Sequence, residues 1–236
     1  MLKINHKEKL EIIYKILFNE YKNQGWWPIT LDGKTKAEYH PADYSYPKTD
    51  KQKLEIIFGA LLTQNTSWKN VEKAISELHN NHLIDIRRIL AIDKNELAAL
   101  IKSSGYHNQK AQKLKNVCLL LKKNTFQELE MLDLQELRIK LLSVNGIGPE
   151  TADSILLYAF NRPIFVIDTY TKRIFSRLGF YNEDVSYDEL QQLFMNNLTG
   201  DYQLFQEYHA LLVEHAKECC TAKADPKNCW LRKKIT

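Results

Sequence analysis

Apolar residues recur at three- and four-residue spacing along most of this chain, and that period predicts helices. Residues 7–22 (KEKLEIIYKILFNEYK) place Leu10, Ile13, Leu17 and Tyr21 on one face and stop at Gly25. Residues 29–50 lose the period; turn residues and aromatics there predict a long packed connection. From Asp50 the period returns, with Leu54, Ile57, Phe58, Leu61 and Leu62, then Val71, Ala74, Ile75 and Leu78. Two helices broken at Thr63–Ser67 fit this, with Thr66 or Ser67 as N-cap of the second. Three more follow at 84–92, 93–105 and 108–124. The middle one is capped by Asp93, with Glu96 as capping-box partner, and ends at Gly105. Helices over 134–144, 188–199 and 202–220 and a short polar tail complete the series. No convincing strand pair and no repeat of fixed period is present, so the expected fold class is all-α.

The most informative stretch is 141–180, LLSVNGIGPETADSILLYAFNRPIFVIDTYTKRIFSRLGF. A helix runs into Asn145-Gly146-Ile147-Gly148-Pro149, and a small-residue helix follows. Gly146 and Gly148 allow a tight turn and close approach of backbone to another surface, and Pro149 suits a first helical turn. The amides that open the next helix sit at the positive end of its dipole, which makes a grip for phosphate without reading sequence. Many helical hairpins contain glycine, so the hairpin alone is weak evidence. The apolar run Ile164–Ile167 then leads to Asp168 at the head of a helix carrying Lys172, Arg173 and Arg177. By residue type Asp168 reads as a plain N-cap or as a catalytic carboxylate.

Two other clusters read two ways. Trp26-Trp27-Pro28 is either a hydrophobic plug under a loop or a flat aromatic wall for a planar ligand. Gln64 and Asn65, polar residues wedged between apolar helices, either cap a helix or face a ligand.

Composition narrows the class. Hydrophobic residues make up 44% of 236, enough for a core, and only eight glycines and six prolines suit a helical fold. The formal charge of +4 permits a polyanionic partner. No apolar run approaches the ~20 residues of a membrane helix, and the charged N-terminal segment lacks a signal-peptide centre. A cytoplasmic protein (nucleoid-associated in a bacterium) with no membrane partner is expected. Four cysteines in a chain this long do not suggest a disulfide framework.

The segments LLTQNTSWKNVEKA, SSGYHNQKAQKLKNV, NGIGPETADSILLYAF and PIFVIDTYTKRIFSRLGF resemble, in order and spacing, the endonuclease III superfamily of helix-hairpin-helix DNA glycosylases. The likeness covers roughly residues 50–180 and extends through HALLVEH to about 215. It implies two α-helical domains, expected at 1–48 plus 162–236 and at 49–161, with the active site in the cleft between them. It also implies a monomer acting on double-stranded DNA with damaged bases. Asp168 then matches the catalytic carboxylate, able to stabilise an oxocarbenium-like sugar cation and assist water. The target nucleotide must leave the stack to react. By the same likeness Gln64 and Asn65 enter the vacated stack, with Tyr106 near the opposing face. Asn145, Gly146, Gly148, Glu150, Thr151 and Lys172 contact DNA, and the hairpin has room for a monovalent cation.

Two departures matter. Bifunctional members carry a lysine nucleophile eighteen residues before the aspartate; here that position is Glu150, which cannot form a Schiff base. Neither Lys140 nor Lys172 fills it, so a monofunctional enzyme leaving an abasic site is expected. Many members also bind a [4Fe–4S] cluster through C-x6-C-x2-C-x5-C. Cys220 matches the first ligand, but the next two positions fall on Lys227 and Trp230, Cys229 stands alone, and Cys219 cannot restore the spacing. No CxxC suggests zinc. No cluster or other metal is expected, and the tail should be held by packing and polar contacts.

The missing lysine, the Trp-Trp-Pro run and Gln-Asn-Thr-x-Trp together resemble the endonuclease III-type 3-methyladenine DNA glycosylases. The resemblance assigns Trp26, Trp27, Pro28 and Tyr46 to a base pocket. An N3-methylated purine is cationic and planar, so indole stacking favours it by ~0.5–2 kcal/mol. The alternatives are a glycosylase for oxidised pyrimidines or mismatches, and a non-catalytic DNA-binding protein that keeps only the hairpin.

Overall fold

The computed structural model describes residues 5–182, 184–225 and 229–235. The chain forms two compact units, one built from its start and its end (residues 1–26 and 162–236), the other from residues 27–161. The units divide at 26/27 and 161/162, the first division following from the packing of Trp27.

In chain order, α1 spans His6–Tyr21, α2 Asp50–Leu62, α3 Trp68–Asn80, α4 Ile86–Ala91 and α5 Lys94–Leu100. A 3-10 turn, Lys102–Ser104, precedes α6, His107–Lys123. Then come α7 Phe126–Glu130, α8 Leu134–Leu142, α9 Pro149–Ala159, α10 Thr169–Arg177, α11 Tyr187–Asn197, α12 Tyr202–Glu218 and α13 Trp230–Ile235. Among the described residues the only β pairing is the isolated bridge between Ile29 and Glu38. The fold is all-α.

Sequence signals set most boundaries. Asn5, Thr125, Asp133 and Ser186 each form a reciprocal capping box with a glutamate three residues on. Asp93 caps α5 through the amides of Asn95 and Glu96, and the chain passes through the 3-10 turn before Gly105 ends it at φ 69°. Two short helices differ from expectation. Helix α7 was hidden because five residues are too few to show a period. The polar tail closes as α13, whose Leu231 is fully buried.

In the first unit α1 lays Leu10, Ile13 and Leu17 against α12, whose Tyr208 hydroxyl donates to the Leu10 carbonyl (2.9 Å). The run Ile164–Ile167 is buried throughout, and its Phe165 ring stacks on Phe194 (3.7 Å between centroids) and meets Phe205 and Tyr208 edge-on. A fully apolar, extended stopper in the core thus delivers Asp168 to the start of α10.

In the second unit α2 is the central helix. Every residue from Leu54 to Leu62 is buried, packed among α3, α6 and α9, as expected of a helix apolar nearly all round. Residues 27–48 belong to this unit because Trp27 inserts beside α2. A Cβ at Gly59 would meet the Trp27 indole at 2.9 Å, so only glycine fits there. Trp27 meets Trp68 and Tyr158 edge-on, each at 5.3 Å between centroids. The buried carboxylate of Glu55 then accepts from the Thr30 amide (2.9 Å) and hydroxyl (2.8 Å) and pairs with His79 Nε2 (2.8 Å), tying the segment to α2 and α3.

Candidate active site

Asp168 is the N-cap of α10 and accepts from the Thr171 amide at 2.7 Å. The capping and functional readings of this residue are therefore not exclusive. One carboxylate oxygen takes the helix amide; the other, Oδ2, lies 3.7 Å from His209 Nε2, with the two side chains 13% and 11% exposed. Burial pushes the Asp168 carboxyl upward, but His209 first and Thr171 second outweigh it and hold it below the ordinary carboxylate range. The group is poised as an anion in a dry setting, which suits stabilisation of a developing sugar cation.

His209 was not singled out in the sequence. It lies on α12, and the signal was its place in HALLVEH, a segment noted only as extending the family likeness. The same helix holds Glu207, buried, which accepts from the Gln24 amide at 2.7 Å and from Asn23 Nδ2 at 3.4 Å. Glu207 thereby fixes the strand of chain that ends in Trp26. Trp26 is half-buried, with the Lys217 ammonium 5.5 Å from its ring centroid. Helix α12 thus sets the surroundings of both Asp168 and Trp26.

The expected aromatic wall is revised. Trp27 is 6% exposed and belongs to the core of the second unit, and Pro28 beside it is buried. Both fit the plug reading, leaving Trp26 as the tryptophan of the pair with accessible ring surface. Tyr46 is half-buried, with His40 at 4.6 Å and the Lys48 ammonium at 4.3 Å from its ring.

The hairpin forms between α8 and α9. Gly146 takes φ 101°, and a Cβ there would meet the Lys113 side chain at 2.4 Å. A Cβ on Gly148 meets nothing within 4 Å, so its backbone is open to close approach. Gly148 is the N-cap of α9 and no side chain caps the helix, which leaves the first amides at the positive dipole end for an external acceptor. Asn145 and Glu150 are exposed and Thr151 is buried. The carbonyls of Asn145 and Gly146 accept from Asn116 Nδ2 and Gln64 Nε2. Below, Arg138 makes two bonds to the fully buried Asp153 (2.7 and 3.1 Å), locking α8 to α9.

Gln64 is more committed than expected. Its amide nitrogen donates to Gly146 O (3.1 Å) and Thr151 Oγ1 (2.9 Å), while its oxygen accepts from Lys113. Asn65 beside it is exposed at φ 55°, and Tyr106 is 64% exposed at φ 45°. Left-handed backbone at a tyrosine is strained, a condition that gathers at functional positions. Lys172 donates to the Val185 carbonyl at 3.0 Å, which holds its ammonium against its own unit.

The C-terminal cysteines do not fit a four-thiolate cluster. Cys220 is buried and accepts from Arg177 at 3.3 Å; Cys229 Sγ lies 3.4 Å from His215 Nε2; Cys219 adjoins Cys220 in sequence. The fourth cysteine, Cys118, is sealed in the core of the second unit, where burial pushes its thiol up to about 12. No group of three or more potential metal-ligating side chains occurs among the described residues. Lys227, one expected ligand position, lies outside those residues. The described tail is held by Arg173 and Arg177, which donate to the carbonyls of Cys220, Thr221 and Ala222, and by Trp230 against His215 and Tyr21.

No helix among the described residues is long and apolar enough to cross a membrane. Residues 58–199 match the model of the HhH-GPD superfamily base excision DNA repair protein. A candidate DNA repair glycosylase of Methanocaldococcus jannaschii is 44% identical, over 98% of this chain and 97% of its own length. The endonuclease III of Sulfolobus acidocaldarius is 32% identical over 85% of this chain and 88% of its own. Among solved structures, the 3-methyladenine DNA glycosylase of Helicobacter pylori bound to 1,N6-ethenoadenine superposes with a TM-score of 0.69 at 26% identity, covering 91% of this chain and 98% of that one. An endonuclease III–DNA covalent intermediate superposes at 0.73 with 18% identity over 99% of both chains, a likeness of fold.

Proposed function

This chain belongs to the HhH-GPD superfamily of base excision DNA repair proteins and is a DNA glycosylase; on that premise we propose that it is monofunctional and removes alkylated purines, 3-methyladenine foremost, from duplex DNA. The observation that carries the first part is Glu150. It stands eighteen residues before Asp168, at the exposed first turn of α9, where a bifunctional enzyme needs an amine. The two lysines nearest in the sequence are engaged elsewhere: Lys140 donates to Asn124 Oδ1 (3.2 Å) and Lys172 to Val185 O (3.0 Å).

In this reading the flipped nucleotide presents C1′ to Asp168. The C1′–N bond breaks, the electron pair leaves with the base, and the Asp168 anion stabilises the sugar cation. Water then adds to C1′ and gives up a proton to the carboxylate. An alkylated purine is already cationic and leaves neutral, so no strong general acid is required. Trp26 supports this choice, since its half-buried indole can take a cationic base by stacking, as does the likeness to the Helicobacter pylori enzyme. Asp168 and Trp26 do this without a cluster; the tail cysteines serve packing.

The test is release of free base from methylated duplex DNA, set beside duplexes carrying thymine glycol and T·G pairs. Release of 3-methyladenine is expected. No methylated purine, with thymine glycol or T·G processed instead, would replace the substrate by an oxidised pyrimidine or a mismatch. Activity that survives Asp168→Asn would refute the role of the carboxylate.

A further inference from the structure

Helix α6 touches each of three loops through side chains on one face. Lys110, Lys113 and Asn116 are spaced three apart and so line one stripe. Lys110 is 2% exposed, and its ammonium donates to the carbonyl of Leu62 (2.8 Å), the last residue of α2, and to that of Ser104 (2.6 Å), the last of the 3-10 turn. One buried cation therefore caps two helical C-termini at once, at the negative ends of both. Those ends lead directly into Gln64-Asn65 and into Gly105-Tyr106. Lys113 holds the Gln64 side chain and lies against Gly146, while Asn116 holds the Asn145 carbonyl.

We propose that Lys110 is a positioning residue which, with Lys113 and Asn116, sets the register of Asn65, Tyr106 and the hairpin so that they open the duplex as one body. Burying an ammonium is expensive: desolvation, with the neighbouring charge of Lys113, lowers Lys110 to about 8. A plain apolar residue would pack the same space, but it would leave two carbonyls without a donor. Asn65 and Tyr106 also hold left-handed backbone, a conformation that persists only where the surroundings over-determine it. Lys110 supplies that constraint to both loops from one atom.

The inference rests on the reading above that Gln64, Asn65 and Tyr106 enter or flank the base stack. The experiment uses a duplex with a tetrahydrofuran abasic analogue opposite 2-aminopurine, so no base release is needed. Binding is followed by anisotropy and unstacking by 2-aminopurine fluorescence at saturating protein. Lys110→Met is expected to bind within about twofold of wild type, since the phosphate grip is untouched, while the fluorescence response falls about fivefold. Asn65→Ala and Tyr106→Ala calibrate the response. If both leave it at the wild-type level, the stack-entry reading fails and this inference with it. If they lower it and Lys110→Met does not, the positioning role alone is overturned. Should Lys110→Met fail to fold by circular dichroism, Lys113→Met, altered at a half-exposed side chain, carries the test. It should lower the response by more than it weakens binding, and a wild-type response would overturn the proposal.

Discussion

The Nε2 atom of His209 stands 3.7 Å from Oδ2 of Asp168, and both side chains are nearly enclosed. The histidine helps hold the carboxyl below its ordinary range against the upward push of burial. A group whose folded pKa is depressed gives stability that is present above its unfolded value and lost as pH falls through the folded one. The same applies to activity, which needs the anion. In His209→Gln the carboxyl rises, so the acid limb of the base-release profile moves to higher pH. The plateau rate falls about tenfold, or ~1.4 kcal/mol of transition-state stabilisation. Single-turnover rates from pH 4 to 8 check this; an unmoved acid limb would count against the pair.

Trp26 and Trp27 should behave differently although they are adjacent. Trp27→Ala empties a site packed between Gly59, Trp68 and Tyr158 and costs about 3–5 kcal/mol of stability, read by chemical denaturation. Trp26→Ala should leave stability nearly unchanged and weaken selection of the methylated purine by about tenfold, the scale of one cation–π contact. Equal destabilisation by both would contradict the division of roles.

The Arg138–Asp153 pair closes the base of the hairpin, with Asp153 fully buried. Arg138→Ala removes the cation that is bound twice to a fully buried carboxylate and is expected to cost about 3 kcal/mol. Because α8 and α9 are then no longer locked, binding to undamaged duplex should weaken as well. Thermal melting and anisotropy test the two parts separately.

Most helices were legible in the sequence because their apolar stripes are long and their caps explicit. Asp93 announces its helix by residue type and spacing. Helix α7 escaped for want of length, and α13 because Trp230 and Leu231 sit in a tail rich in charge. The boundary at 26/27 could not be read either: it depends on Gly59 meeting the Trp27 indole, a contact across thirty-two residues with no local signature. At the site, Asp168 and the hairpin carry residue types tied to their chemistry. His209 and Lys110 do not, since a helix that buries a histidine or a lysine looks locally like one that exposes it.

His215 supplies a second pH signature, remote from Asp168 in role. Burial lowers it to about 4, where it lies 3.1 Å from the Tyr21 hydroxyl oxygen and 3.4 Å from Cys229 Sγ. The fold binds it neutral, so the unfolded chain takes up the proton first. Stability should therefore drop as pH falls from about 6.5 toward 4. His215→Gln should flatten that part of the curve, as followed by urea midpoints. An unchanged slope would mean that other groups set acid stability.

The central claim is base removal by Asp168 without a covalent enzyme–DNA intermediate. It is tested most directly by incubating the enzyme with methylated duplex DNA in the presence of borohydride, measuring free base and adduct together. Released 3-methyladenine, abasic sites cleaved only after alkali, and no trapped protein are expected. A borohydride-stable adduct of the wild-type enzyme would contradict it, because Glu150 offers no amine to form one.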